Sequence, residues 1–431
     1  MLNKNLIIRF ALEYVISFFY IPFIFALAII ARFKKSKLDK PRLVWGSTPI
    51  INNKYWSQSM KEVGYVSDTI VTDYYRNINK HQDWDVVLSD TYTFIPYFLR
   101  RYLVFALALF KYDVYFISFD GFFIGSGLIW KFQLYVLKIA NKRIVVMPYG
   151  SDSYVYNRIR STSLIHVLMM SYPVYSKRQK LIKEKVDFWC KWADLVIPAY
   201  MGPDGFGRWD VLIPSHLFID LSLWNRASKP SRHNGVSGVV KIYHTPNHRG
   251  FKGTEFIVAA IEDLKSEGLL VELILLENIQ NDLVRTLLHD DADILVEQII
   301  ATASAMSGLE GMATGIPVVA NFEDDNYVLP MRRYTYFNEC PIVSASPESI
   351  KDVLRKLITR PELRISLGVA GRLYVEKYHG LDSARYLFSN VLDFLYSKNS
   401  SLINLYHPIL GDYPHRLPRV QHPLVNNRIV D

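Results

Sequence analysis

At 431 residues the chain exceeds one ordinary hydrophobic core and fits two domains of usual size. Half of it is hydrophobic and 14% is aromatic, which excludes extended disorder, and two cysteines, Cys190 and Cys340, exclude a disulfide scaffold. Fifty Lys and Arg against 41 Asp and Glu leave a formal charge of +9, which favours anionic partners.

The first element is apolar. Tyr14 to Ala31 is a run of eighteen residues without a charge, followed by Arg32, Lys34, Lys35 and Lys37. That length is borderline for a bilayer span. No small-residue cleavage site follows it, so a signal peptide fits poorly. The basic flank favours the cytoplasmic face of the cell membrane for the remaining chain. Arg9 and Glu13, four apart, are placed to pair on one helix face, which also suits a helix in the membrane plane. Attachment through this helix is the expectation, with spanning and lying flat both open and a buried helix of the first domain as the competing reading. Removing residues 1–37 should then release the chain without unfolding it.

After the basic linker ending near Lys40-Pro41, apolar β-type runs alternate with helical patterns. Strands are expected at Arg42–Gly46, Tyr65–Thr72, Asp85–Ser89, Asp113–Ser118, Arg143–Met147, Asp194–Pro198 and Val211–Pro214. Helices such as Gly127–Ala140 and Ser176–Lys191 make the crossovers. Continuous apolar runs suit strands covered on both faces, so a doubly wound parallel sheet follows. Two basic stretches lie here: seven Lys or Arg against two Asp over 94–143, and eight against two acidic residues over 158–191. Aromatics interleave them. They fit an anionic membrane surface or phosphorylated substrates, or solvated helix faces. No nucleic-acid fold signature accompanies them; a nucleic-acid-binding protein, the third alternative, would gather these bases on one face and bind with strong salt dependence.

Asn225 to Gly235 is polar and rich in turn formers, and reads as the connector between domains. A second αβ series follows: strand Val239–Tyr243, helix Thr254–Glu267, strand Val271–Leu276, helix Asn281–Asp290, strand Asp293–Glu297, helix Leu309–Thr314 and strand Ile316–Ala320. A last helix covers Asp382–Tyr396, and a loosely packed tail rich in Pro, His and Asn is expected from Asn399. The organisation is therefore a membrane-associated helix and linker over 1–40, one Rossmann-like domain over 41–224, a linker over 225–238, a second Rossmann-like domain over 239–398, and a tail over 399–431.

The chemistry concentrates between His244 and Ala320. Lys252-Gly253-Thr254 opens a helix directly after a strand and loop, and Arg249 stands three residues earlier, so two cations can converge on a diphosphate. Ser307-Gly308-Leu309-Glu310 opens another helix, whose N-terminal N–H groups suit a phosphate. A ribose calls for a carboxylate, and Glu310 is on hand. Plainer readings are a basic surface loop and an acidic residue facing a helix dipole. His244 and His248 are spaced for a metal but lack a third ligand. Asp291-Ala292-Asp293 and Glu323-Asp324-Asp325 read as structural. No glycine-rich fingerprint follows a strand, which argues against a dehydrogenase.

The run Glu310-Gly311-Met312-Ala313, Gly315, Pro317-Val318-Val319 resembles the donor half of GT-B glycosyltransferases, especially the large retaining group 1 family of bacterial polysaccharide synthesis. The resemblance is strong over 239–396 and weaker over 42–224. It implies two Rossmann-like domains facing across a cleft, a final helix crossing back onto the first, and no metal or other cofactor. A UDP- or GDP-linked nucleotide sugar is the implied donor, transferred with retention to a glycan or lipid-linked acceptor. By resemblance Glu310 holds the ribose hydroxyls, with Gly253, Ser307 and Gly308 near the phosphates, and Lys252 and Arg249 stabilise the departing diphosphate.

Three departures stand out. Asn247 occupies the usual arginine position, with Arg249 displaced by two. Thr302 stands where a sugar-contacting glutamate is common. Tyr149 takes the place of a histidine before Gly150. Asp152 is placed to hold a sugar hydroxyl or to close an Asx turn. Gly46 to Asn52 matches the acceptor-side loop. The expected activity is a nucleotide-sugar-dependent, hexosyltransferase-like enzyme. A non-catalytic nucleotide-sugar-binding or scaffold protein of a polysaccharide assembly complex is the alternative, motivated by Thr302 and Tyr149.

Overall fold

The structure, a computed structural model, describes residues 4–34, 38–125, 127–198, 205–226, 231–397 and 401–430. Lys35, Lys37 and connector residues 227–230 lie outside the described residues, as does the side chain of Arg9.

Six parallel strands form the first sheet: β1 (Leu43–Ser47), β2 (Ser67–Val71), β3 (Val86–Val87), β4 (Val114–Ile117), β5 (Arg143–Val146) and β6 (Leu195–Val196), in the order β3-β2-β1-β4-β5-β6. Every residue of β1 and β4 is buried, as continuous apolar strands under two helical layers must be. The helices around them are α1 (Lys4–Phe33), α2 (Asn52–Lys61), α3 (Tyr97–Lys111), α4 (Phe132–Ile139), α5 (Thr162–Ser171), α6 (Pro173–Ser176) and α7 (Gln179–Trp192). The expected strand at Val211–Pro214 does not form. Val211 and Ile213 are buried, yet the segment pairs with no strand and is held as core filling.

The second sheet holds β7 (Val240–His244), β8 (Val271–Leu275), β9 (Ile294–Thr302), β10 (Val318–Asn321) and β11 (Val343–Ser344) in the order β11-β10-β9-β7-β8, again parallel. Its helices are α8 (Arg249–Lys252), α9 (Thr254–Ser266), α10 (Asn281–Asp290), α11 (Met306–Thr314), α12 (Asp325–Tyr334), α13 (Ile350–Thr359), α14 (Pro361–Tyr378) and α15 (Leu381–Ser397). Gly368 lets α14 cross α11 closely, since a Cβ there would fall 1.9 Å from the Gly315 carbonyl oxygen. Strand β9 runs past its expected end, because two register shifts against β10 carry it on to Thr302.

In each sheet the chain winds outward, returns, and winds the other way. The reversals fall between β1 and β4 and between β7 and β9. Crevices open beyond the C-terminal ends of strands at such points. The two domains also touch directly. Helix α15 packs on α2, where Phe388 stands edge-on to Trp45 at 4.8 Å and Arg385 pairs with Glu62. Helix α5 lies on α8, with Phe251 against the cluster built by Leu164 and Leu168.

The expectation about the tail is corrected. The tail is packed: Leu402, Tyr406, Tyr413 and Val420 are buried, and Asn427 Nδ2 donates to the Cys340 and Ile342 carbonyls at 2.8 and 3.0 Å. Its last strands, β12 (Leu424–Val425) and β13 (Arg428–Ile429), form a small hairpin. Helix α1 docks one face on the first domain. Ile24, Ala28 and Ala31 bury against α3 and α4, Tyr20 Oη donates to the Tyr102 carbonyl at 2.8 Å, and Glu13 pairs with Arg101 at 3.0 Å. Its other face carries Phe18, Phe19, Ile30 and Phe33 in the open. Over Leu12–Phe33 the helix is long and apolar enough to cross a membrane.

Candidate functional site

Strand β7 ends on His244, fully buried, with Nδ1 2.7 Å from the Val296 carbonyl and Nε2 2.8 Å from Thr254 Oγ1. Burial pushes its pKa down to about 4. Both ring nitrogens are thus occupied in tying the end of β7 to β9 and α9, which leaves neither for a metal. His248 instead packs against the Tyr172 ring, 4.5 Å between centroids.

Asn247 is exposed beside it. Arg249 points to Glu255 at 2.8 Å and Glu277 at 3.1 Å. Lys252 turns inward: it is 5% exposed, forms an ion pair with Glu297, and donates to Gln298 Oε1 at 3.0 Å. Gln298 Nε2 in turn donates to the Ala301 and Ala303 carbonyls, each at 2.9 Å, which fixes the irregular end of β9. Gly253 follows Lys252 with φ of 80°, in the left-handed region where glycine is at ease.

The start of α11 lies across the same crevice. Ser307 Oγ donates to Glu297 Oε1 at 3.2 Å. A Cβ on Gly308 would sit 2.0 Å from Ser304 Oγ, so glycine is what allows that hydroxyl against the first turn. Among the described residues, the buried atoms Thr245 Oγ1, Ser304 Oγ and Glu297 Oε2 have no hydrogen-bond partner. All three belong to the β7/β9 reversal: Thr245 follows β7, Glu297 lies within β9 and Ser304 follows it. Thr302 Oγ1 donates to Asn321 Oδ1 at 3.2 Å. Glu310 is one turn into α11, 7% exposed, with Oε1 accepting from Asn281 Nδ2 at 2.7 Å. Burial pushes its carboxyl up to about 7, Asn281 lowers it, and Glu297 raises it further.

In the first domain the loop after β1 meets the loop after β4. A Cβ on Gly46 would lie 1.9 Å from the Ile70 carbonyl oxygen, so this position admits no side chain. Asn52 bridges outward: Oδ1 accepts from the Phe218 N–H at 2.7 Å, and Nδ2 lies 3.4 Å from Met306 Sδ at the start of α11. The segment after β1 and helix α11 of the second domain are therefore in contact. Asp152 is 3% exposed, and its two oxygens accept the N–H groups of Phe119, Tyr149 and Gly150 at 3.0 Å each. This is the Asx-turn alternative, and burial pushes the carboxyl up to about 7. Tyr149 Oη donates to Asp120 Oδ2 at 2.8 Å.

Sequence reasoning passed over Glu297, Gln298, Asp120 and Lys185. The first two interrupt an otherwise apolar strand, and Asp120 interrupts an aromatic run, which is the signal each one left. The basic stretches are largely answered within the fold. Arg101 pairs with Glu13, Lys111 with Asp68, Lys131 with Glu184, Lys138 with Asp194, and Arg158 and Lys183 with Asp187, while Arg100 donates to backbone carbonyls.

No family model matches the sequence, and no curated protein does. Solved structures match across most of its length. Sucrose-phosphate synthase from Thermosynechococcus elongatus superposes with a TM-score of 0.53 at 13% identity, covering 84% of this chain and 100% of that one. HepE from Anabaena, solved with UDP-glucose, gives 0.49 at 11% identity over 81% and 98% of the two chains. A glycosyltransferase from Rickettsia africae gives 0.49 at 13% over 84% and 100%. Two parallel sheets, two switch points and a last helix returning to the first domain make this the GT-B fold, two Rossmann-like domains facing across a cleft.

Proposed function

We propose that the protein is a glycosyltransferase that moves a sugar from a UDP- or GDP-linked donor to a glycan or lipid-linked acceptor, with retention, in surface polysaccharide or glycolipid synthesis. The observation that carries the reading is the β7/β9 crevice. There Lys252 is tied through Glu297 to Ser307 in the first turn of α11, Thr245 and Ser304 carry buried hydroxyls without a protein partner, and the Glu310 carboxyl lies one helical turn further along α11. Helix N–H groups and hydroxyls suit a diphosphate, and a nearby carboxylate suits ribose hydroxyls. As the sugar–phosphate bond breaks, negative charge grows on the leaving group, and a fixed ammonium stabilises it more than the ground state. In a retaining reaction the leaving phosphate can itself take the acceptor proton. The open apolar face of α1 supports attachment to the cytoplasmic side of the membrane.

A second reading, nucleotide-sugar binding without turnover, draws support from charge. Lys252 is already paired with Glu297, and Arg249 with Glu255 and Glu277. Incubating the protein with a panel of UDP- and GDP-sugars plus native acceptor extract, and measuring nucleotide release, separates the two. Turnover that falls by roughly a hundredfold in folded Lys252→Ala supports transfer. Nucleotide binding with no release for any donor supports the second reading.

A further inference from the structure

The switch point of the first sheet carries a carboxylate that the donor chemistry does not use. Asp120 sits in the loop after β4, facing the loop after β1: Thr48 Oγ1 and Ser118 Oγ are 3.3 Å apart, and Ser47 Oγ donates to the Gly121 carbonyl at 3.4 Å. Its side chain is 41% exposed, whereas that of Lys185, which holds Oδ1 at 2.8 Å, is 7% exposed. Tyr149 holds Oδ2, and the backbone N–H of Asp120 donates to Ser118 Oγ. A buried ammonium and a largely buried phenol thus grip an open carboxylate, one on each oxygen. The same loop layer reaches the donor side through Asn52 and Met306.

We propose that Asp120 binds the acceptor, each carboxylate oxygen accepting a hydrogen bond from one of two adjacent hydroxyls on a sugar ring. An ionised carboxylate offers about four lone-pair directions, and Lys185 and Tyr149 use two, leaving about one open on each oxygen. Two parallel acceptors match a vicinal diol. Lys185 cancels the charge of Asp120, so the pair favours a neutral polyol over a cation, and a metal ion would meet an ammonium beside its single carboxylate. Asp152, four-square beneath the loop with both oxygens on backbone N–H groups, has no such capacity. Tyr149, at the family's histidine position, is on this account a positioning residue for Asp120.

The proposal rests on the glycosyltransferase reading for the word acceptor, and its test is separate from nucleotide binding. Full-chain protein is titrated with the methyl glycosides of glucose, galactose and mannose, followed by saturation-transfer NMR, and then with monodeoxy analogues of the tightest binder. Asp120→Asn should weaken that binder by about tenfold or more, the range for losing hydrogen bonds to a charged group. Removing one hydroxyl of the diol should weaken binding to the native protein and have no further effect on Asp120→Asn. Tyr149→Phe should shrink the same hydroxyl penalty, which a purely structural role would leave alone. If Asp120→Asn folds poorly, the double variant Asp120→Asn with Lys185→Met removes the stranded ammonium and is held to the same outcome. Absence of glycoside binding, equal binding by variant and native protein, or hydroxyl penalties that persist in the variant would overturn it. Calorimetry with UDP and GDP reads the donor site independently, so glycoside binding without nucleotide binding sinks the donor reading alone.

Discussion

Glu297→Gln is the sharpest perturbation of the β7/β9 crevice. The Lys252 side chain is 6% exposed and that of Glu297 fully buried, so neither partner can turn to water when the other is lost. Their remaining contacts are neutral: Gln298 Oε1 on the ammonium and Ser307 Oγ on the carboxylate. Breaking a buried ion pair by removing one partner costs about 3–5 kcal/mol, against about 0–1 kcal/mol for an exposed pair. Glu297→Gln and Lys252→Met should each fall in the larger range. The double variant Lys252→Met with Glu297→Met removes both charges and should be less destabilised than either single one, since apolar replacement of a buried pair is often neutral or stabilising. Urea unfolding of the full chain, followed by fluorescence, measures all three. Single variants costing less than about 1 kcal/mol would refute the argument, because the pair would then behave as a solvated one. Repeating the titrations with UDP adds a functional arm: a diphosphate that uses Lys252 should stabilise the native protein and not the double variant.

Glu310 predicts a pH dependence. Its folded carboxyl is raised from 4.5 to about 7, so the fold favours the protonated form; the associated stability is full below about pH 4.5 and is lost as pH rises through about 7. Thermal unfolding over that window should show Glu310→Gln declining less steeply than the native protein, and parallel curves would remove the assignment. The proposed ribose contact uses the ionised form, so under that proposal nucleotide affinity should rise over the same window and fall by about 1–3 kcal/mol in Glu310→Gln, as calorimetry would show. For α1, Phe18→Ser with Phe19→Ser and Ile30→Ser should lower the membrane-pelleted fraction without changing the melting temperature. Ala28→Leu, on the packed face, should cost about 1–3 kcal/mol of stability, and a harmless Ala28→Leu would mean the helix is not docked as seen.

Much of the architecture is written in local pattern. The apolar runs that became β1, β4, β5, β7 and β9 read as buried parallel strands because a strand covered on both faces needs no polar alternation. Lys252-Gly253-Thr254 marked the start of α9 and α10 was legible residue for residue from its period, whereas α11 begins at Met306, three residues before the expected Leu309. Val211–Pro214 has the composition of a strand and lacks only a neighbour, which no local pattern can supply. The tail has the composition of a loop and is ordered by partners such as Cys340 and Ile342, more than eighty residues away.

The site divides in the same way. Residue type and spacing put two cations near one helix start, but whether a cation is free depends on what the sheet brings to it. Lys252 meets Glu297 because β7 and β9 are neighbours at a switch point, and Asp120 meets Lys185 across 65 residues. Asp152 had equal standing as a ligand and as a turn former until Phe119, delivered by the loop after β4, took its second oxygen. Helix α1 shows the principle most simply. Its hydrophobicity is a property of the sequence, while the division into a docked face and an open one belongs to α3 and α4. Short-range pattern sets which backbone conformation is cheap; burial and pairing are decided by whichever distant groups the topology places alongside.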